Sequence, residues 1–225
     1  MRLAVRQGRI DFVLTNPAHY VELEALYGVS AIATLKSRFI GDIGYSSLGA
    51  VIFARADRQE IRSLADLKGK DFVAVDPTSF GGWIVGKREL LRHGIRPERD
   101  FSRLTFAGTH DAVVYAVRDG QADAGTVRTE TLELMAAEGR IRLDDFYVLN
   151  RQRVEGFPLL MSSPLYPEWP MARLQHAPEA LSVRVAVALQ QVSADDRAAT
   201  YSVSLASRSP FSSPSCRRAA DHSPA

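Results

Sequence analysis

Asp71-Phe72-Val73-Ala74-Val75-Asp76-Pro77-Thr78-Ser79-Phe80-Gly81-Gly82-Trp83 reads as a strand that turns directly into a helix. Phe72 to Val75 is apolar and valine-rich, Pro77 stops the strand, and two hydroxyl residues with two glycines open the helix. Phe80, Trp83, Ile84, Lys87, Leu90 and Leu91 then fall at helical spacing, up to a stop near Gly94. A helix opening leaves main-chain N–H groups without intrahelical acceptors and carries about half a positive charge. In open α/β sheets such openings gather at the carboxyl ends of strands, where small ligands bind.

Working outward, the same junction recurs at Leu14-Thr15-Asn16-Pro17, Phe106-Ala107-Gly108-Thr109-His110-Asp111 and Gly125-Thr126-Val127-Arg128-Thr129-Glu130. Brought together, these junctions would outline a donor-rich cleft suited to a small anion. Upstream, residues 1–8 read as a helix tail ended by Gly8, and residues 10–14 as a strand. Asn16 caps a helix with Pro17 in its first turn and Gly28 at its end; residues 29–35 form the next strand. Tyr45 to Ala54 reads as one long apolar strand crossing between lobes. Downstream come strand 104–106, helix 109–119, strand 122–127 and helix 129–138, closed by Gly139. Returning strands follow at 146–149 and 157–161, then an amphipathic helix over 180–192. This alternation predicts an α/β fold with mostly parallel sheets and helices on both faces. Thr200 to Ala225, rich in Ser, Arg and Pro without an apolar period, reads as a disordered tail.

At 225 residues the chain holds one or two domains. Its 46% hydrophobic and 24% charged residues are those of a globular protein, and a net charge of +2 without a concentrated basic run argues against a nucleic-acid partner. Cys216 is the sole cysteine, which excludes an intrachain disulfide and a thiolate metal cluster. No apolar run approaches the roughly 18–20 residues that span a bilayer. The first residues, interrupted at once by Arg2 and Arg6, do not resemble a signal peptide. The five histidines show no metal-ligand spacing, and neither Gly-x-Gly-x-x-Gly nor the Walker pattern occurs, so neither a metal nor a cofactor is expected.

Each local signal also has a plainer reading. Ser79 serves equally as a helix cap, His110 as a surface imidazole and Glu130 as an acid at a helix N-terminus. Tyr45 and Trp83 line a pocket or fill a core. In the binding reading, Thr78 and Ser79 present hydroxyls, and His110 donates to an anion with Asp111 orienting it. A rival reading, a small serine esterase using Ser79 and His110, needs Gly-x-Ser-x-Gly at the nucleophile, and Pro77 stands at the first glycine position.

The motifs Val75-Asp76-Pro77-Thr78-Ser79-Phe80-Gly81-Gly82-Trp83, Gly108-Thr109-His110-Asp111-Ala112 and Asp123-Ala124-Gly125-Thr126-Val127-Arg128-Thr129-Glu130-Thr131-Leu132-Glu133 together resemble the phosphate/phosphite/phosphonate substrate-binding protein family. Their Phe-Gly-Gly-Trp and Gly-Thr-Val-Arg-Thr variants look most like sensor domains of membrane histidine kinases of the tetrathionate-sensing kind. The resemblance spans roughly residues 4–198. It implies a type 2 periplasmic binding fold: a first lobe of residues 1–49 plus 157–199, a second of residues 50–156, and a hinge. It places the anion-gripping turn on Thr78, Ser79 and Gly81, a histidine donor on His110, a hinge-side tyrosine on Tyr45, and ligand-facing positions on Arg128 and Glu130, with Asn16 and Tyr20 as contacts from the first lobe. Phe80 replaces the small residue usual in phosphonate binders. The implied partners are a small anionic ligand and either an ABC permease or kinase domains of a longer parent. The implied location is periplasmic, with neither leader nor anchor in this stretch. The family carries a strand, a helix and a second strand before the equivalent of Leu3, so the first lobe is expected to be incomplete, and Thr200 onward is expected to match nothing of the family.

Overall fold

The computed structural model describes residues 1–38, 44–192 and, for the main chain alone, 203–204. The chain forms two compact units. One comprises Met1–Ser47 with the described residues from Tyr166 onward; the other is Leu48–Leu165. The boundary expected at residue 157 therefore falls at 166 in this partition. The tail expected over 200–225 lies outside the described residues, apart from 203–204.

The first unit opens with α1 (Arg2–Arg6), β1 (Phe12–Leu14), α2 (Pro17–Tyr27) and β2 (Ser30–Leu35), followed by the short strands β3 (Ser37–Arg38) and β4 (Gly44–Tyr45); the two-residue β5 (Ser47–Leu48) straddles the division. In the second unit come β6 (Ala50–Arg55), β7 (Asp71–Ala74), a π-helical turn (Phe80–Ile84), α3 (Val85–Arg92), α4 (Pro97–Asp100), β8 (Arg103–Phe106), α5 (His110–Arg118), β9 (Ala124–Arg128), α6 (Thr131–Ala137) and β10 (Phe146–Leu149). The chain then returns to the first unit with β11 (Tyr166–Pro167), β12 (Pro170–Arg173), α7 (Glu179–Gln191) and β13 (Val203–Ser204).

In the first unit the sheet runs β1-β12-β2-β13, and every pairing is antiparallel. Its core gathers Val5, Val13, Tyr20, Leu23, Val29, Ala172 and Leu174. In the second unit the order is β10-β6-β9-β7-β8. Parallel pairing is confined to β9-β7-β8, where helices join successive strands, while β6 and β10 pair antiparallel. The mostly parallel arrangement expected from the alternation thus holds for the part of the sheet built by helical crossovers. β6 alone runs against the rest of this sheet, so β10, reached from β9 through α6, points the same way as β9 but lies beside β6.

Close packing fixes the second unit's layers. A β-carbon on Gly125 would meet Val113 and Val117 of α5, at 3.0 and 3.1 Å. The next residue, Thr126, faces Gly86 of α3, where an added β-carbon would lie 2.7 Å from Oγ1. Successive strand residues point to opposite faces, so α3 and α5 cover the two sides of the sheet. Buried Val51, Phe53, Val73, Val113, Val114, Val117 and Val127 form the valine-rich core between the sheet and α5. At about 1.5–3 kcal/mol for each large apolar side chain removed from water, this core is what holds the carboxyl edge of the sheet in place.

Three elements differ from expectation. The long strand expected over 45–54 is interrupted at Ser46 and Gly49. At Gly49 the chain passes so close to Ser163 that a β-carbon would lie 3.0 Å from its hydroxyl oxygen. The strand expected over 157–161 is absent; among the described residues only an isolated Val154–Phe157 bridge forms. Just after it, the Ala50 N–H donates to Ser163 Oγ and the Ile52 N–H to Ser162 Oγ, each at 2.9 Å, while the Ala50 carbonyl accepts the Ser162 N–H at 2.7 Å. Finally, the helix after Ser79 opens as a π turn, because the N–H groups of both Trp83 and Ile84 reach back to the Ser79 carbonyl, at 2.9 and 3.0 Å.

Candidate functional site

Because β7, β8 and β9 run parallel and in register, their carboxyl ends share one edge of the second unit's sheet. From that edge the chain enters the Asp76–Ser79 turn, the Gly108-Thr109-His110 opening of α5 and the Arg128-Thr129-Glu130 opening of α6. Three of the four junctions read from the sequence therefore meet here, and each points a helix N-terminus the same way.

Asp76 builds the first turn. Its Oδ1 accepts from the Thr78 N–H at 2.8 Å and the Thr78 hydroxyl at 2.6 Å, and these two bonds hold the carboxyl below the usual aspartate range. The Thr78 hydroxyl is thereby spent on the turn and the residue lies at the surface. Ser79 behaves otherwise. It occupies the cap position, yet its side chain makes no hydrogen bond to the first turn. The plainer reading of Ser79 as a side-chain cap thus fails here. A π turn within a helix is itself a feature concentrated at functional sites. Gly81 is buried, and a β-carbon there would sit 2.7 Å from Arg128 Cβ, so its missing side chain brings the turn against the end of β9.

His110 begins α5 beneath the Thr109 cap, whose hydroxyl accepts the Ala112 N–H at 3.2 Å. Its Nδ1 lies 3.3 Å from the main-chain nitrogen of Arg128. Burial first, then the neighbouring Arg128 charge, push the imidazole down to about 4, against an opposing pull from Asp111. Asp111 does not orient the ring, as the sequence suggested; its carboxylate pairs with Arg140. The Arg128 guanidinium pairs with Glu130 at 3.3 Å. Glu130 has φ +83°, a conformation that costs a non-glycine residue about 1–3 kcal/mol and clusters at ligand clamps.

Thr129 escaped the sequence reading. It is 1% exposed; its hydroxyl accepts the Gly49 N–H at 3.2 Å, and its own N–H donates to the Gly49 carbonyl at 3.0 Å. It anchors the strand end that carries Arg128 and Glu130. Its signal was its place between two charged residues after an apolar strand.

The remaining candidates belong to the first unit. The Asn16 side chain accepts the His19 N–H at 3.0 Å and so caps α2. Tyr20 is 1% exposed, and its hydroxyl donates to Glu24 at 2.8 Å while accepting the Ala31 N–H at 3.3 Å, the geometry of a core side chain. Tyr45 is half-buried in β4, where its carbonyl accepts the Ser37 hydroxyl at 3.1 Å. Among the described residues no cluster of His, Cys, Asp or Glu is placed to hold a metal ion.

A family model described as "ABC transporter, phosphonate, periplasmic substrate-binding protein" matches residues 1–215. The chain belongs to that family. The match runs past Thr200 and so corrects the expectation that nothing beyond it is shared. The tetrathionate sensor histidine kinase TtrS of Salmonella typhimurium (strain LT2) is 40% identical over 190 residues, 84% of this chain and 32% of that protein. The phosphate-import protein PhnD of Mycolicibacterium smegmatis is 31% identical over 132 residues, 52% of this chain and 38% of that protein. The chain spans about a third of the length of these curated relatives. Among solved structures, PhnD1 of Prochlorococcus marinus in complex with methylphosphonate superposes with a TM-score of 0.64 at 14% identity, over 93% of this chain and 78% of that one. The fold is that of type 2 periplasmic binding proteins, and this member of the phosphonate-binding family is a substrate-binding module rather than a catalytic one. Among the described residues no helix is long and apolar enough to cross a membrane.

Proposed function

We propose that the chain captures a small anion bearing a tetrahedral oxyanion group and serves as the extracytoplasmic sensor region of a longer two-component kinase. The observation that carries the capture reading is the shared edge of β7, β8 and β9, where an uncommitted Ser79 hydroxyl, His110 and Arg128 stand at three helix openings. Donors aimed from helix N-termini favour negative charge without chemistry. The sensor assignment is supported by 40% identity over most of this chain to a protein named as a tetrathionate sensor kinase. The transporter reading, delivery of a phosphonate or phosphate to an ABC permease, is favoured by the family description and stands as the second reading. An esterase is not favoured, since Asp111, the acid nearest His110 in sequence, is held by Arg140.

Within the second unit we assign Ser79, His110, Arg128 and Glu130 to the ligand, Gly81 to close packing of the turn, and Thr78 to its shape. Calorimetric titration with tetrathionate, inorganic phosphate and methylphosphonate tests the reading. At least one anion is expected to bind, and Ser79→Ala to weaken it by about 1–3 kcal/mol, the range for losing a hydrogen bond to a charged group. Unchanged affinity in that variant would remove Ser79 from the site. Tighter binding of tetrathionate than of the phosphorus anions favours the sensor assignment, and the reverse favours the transporter one.

A further inference from the structure

The end of β9 restricts what His110 can offer a ligand. A peptide N–H only donates, so the Arg128 nitrogen at 3.3 Å from Nδ1 requires a lone pair there, and the ring proton then resides on Nε2. Nε2 meets no acceptor among the described residues, and it is not sealed from solvent. The charged groups facing the ring are Arg128, which disfavours its protonation, and Asp111, which favours it but is paired with Arg140. The positive charge of Arg128 is itself balanced by Glu130.

We infer that the main-chain amide of Arg128 locks His110 as a neutral, donor-only imidazole, so that this edge recognises a fully deprotonated oxyanion group through neutral donors and helix openings instead of net positive charge. The inference rests on the anion-capture reading and narrows its ligand class. A sulfonate-like, thiosulfonate-like or dianionic phosphonyl group presents only acceptor oxygens and fits; a group that must hand a proton to the imidazole does not. The same lock bars His110 from acting as a general base toward Ser79, because its outward nitrogen already carries the proton. Burial and the Arg128 charge hold the imidazole near 4, which keeps the lock in place through mildly acidic conditions.

The test is the long-range nitrogen–proton spectrum of the histidine rings in the isotopically labelled chain, recorded without ligand between about pH 5 and about pH 8, a range that brackets ordinary histidine titration. The His110 signal is identified by its loss in both His110→Gln and His110→Ala, so one misfolded variant does not prevent the assignment. The expected result is a single tautomer with the proton on Nε2 and no titration across the range. A proton on Nδ1, a mixture of tautomers or an ordinary titration would overturn the lock. In a second arm tetrathionate, which has no proton of its own to lose in this range, is added at both ends of it. Its affinity is expected to change by less than about twofold; a rise of about tenfold at the acidic end, one protonation's worth of charge, would overturn recognition by neutral donors. Failure of tetrathionate, phosphate and methylphosphonate all to bind would overturn the capture reading and the recognition half with it, while the ligand-free spectrum alone decides the tautomer.

Discussion

Asn16 and Ser79 stand at the same kind of place, a polar residue between a short apolar strand and the helix after it, and the two units use them in opposite ways. Asn16 spends its side chain on the His19 amide and completes α2. Ser79 leaves the first turn uncapped by its side chain, and the helix opens instead as a π turn pressed by Gly81 against the end of β9. Around Asn16 the sheet is antiparallel, so neighbouring strands end on alternate edges. Around Ser79 three parallel strands deliver their openings to one edge. The difference teaches that a capping residue becomes a candidate ligand group when the sheet gathers several openings together and leaves the side chain unspent.

The largest test of this contrast is acid stability. His110 is folded with its pKa lowered from 6.5 to about 4, so the unfolded chain binds the proton more readily between those values. Stability from the neutral buried ring is present above about pH 6.5 and is lost as pH falls through about 4. The 2.5-unit gap corresponds to about 3 kcal/mol at most. Denaturant melts of the native chain and of His110→Gln at a series of pH values should show this decline in the first and its loss in the second. Equal slopes would place the ring in a solvated setting and weaken the case for a built edge.

Paired substitutions come next. Asn16→Ala is expected to cost about 1 kcal/mol of stability, the usual value of a side-chain cap. Ser79→Ala, with no cap to lose, is expected to leave the folding free energy within about 0.5 kcal/mol, the range of substitutions that remove no structural contact. If Ser79→Ala proves as destabilising as Asn16→Ala, the two junctions are alike and the contrast fails.

Smaller effects bear on how the edge is held. Glu133 lies on α6, one turn past Glu130; burial raises its pKa, although the Leu160 amide and Arg151 oppose the shift. An acid with a raised folded pKa costs stability as pH climbs from the unfolded value through the folded one. Glu133→Gln should therefore melt higher than the native chain at mildly alkaline pH and show no gain in acid; a lower melting point confined to alkaline pH would mean that the charge is needed. The smallest expected effect is at Thr126, whose buried hydroxyl has no hydrogen-bond partner among the described residues beneath Gly86. Thr126→Val keeps the shape, removes an unsatisfied group and should be neutral or stabilising by up to about 1 kcal/mol. A clear loss by calorimetric melting would reveal a partner for that oxygen.

Much of this was legible from residue order. The helix over 17–27 follows from Asn16, Pro17 and Gly28, and the strands near 71–75, 104–106 and 122–127 from their apolar and β-branched residues and the glycines around them. The interruption at Gly49 was not legible, because a run from Tyr45 to Ala54 looks the same whether its hydrogen bonds go to a strand or to Ser162 and Ser163, more than a hundred residues away. Nor was the missing strand over 157–161, whose Phe157, Leu159 and Met161 are buried without a ladder. Asp111 was read as the orienter of His110 because it is next in sequence; Arg140, 29 residues on, claims it instead.

By itself the sequence determined the local events: where strands stop, which residues open helices, and which polar types stand at each opening. Those depend on φ/ψ preference, capping chemistry and hydrophobic period, all of which act within a few residues. Only the tertiary structure decided which openings share an edge, that Ser79 is unspent while Thr78 and Tyr20 are used, and that His110 faces the amide of Arg128 and not Asp111. The reason is physical. A hydroxyl or an imidazole is a donor, an acceptor or a buried neutral group according to the partner across the sheet, and the direction of strand pairing chooses that partner.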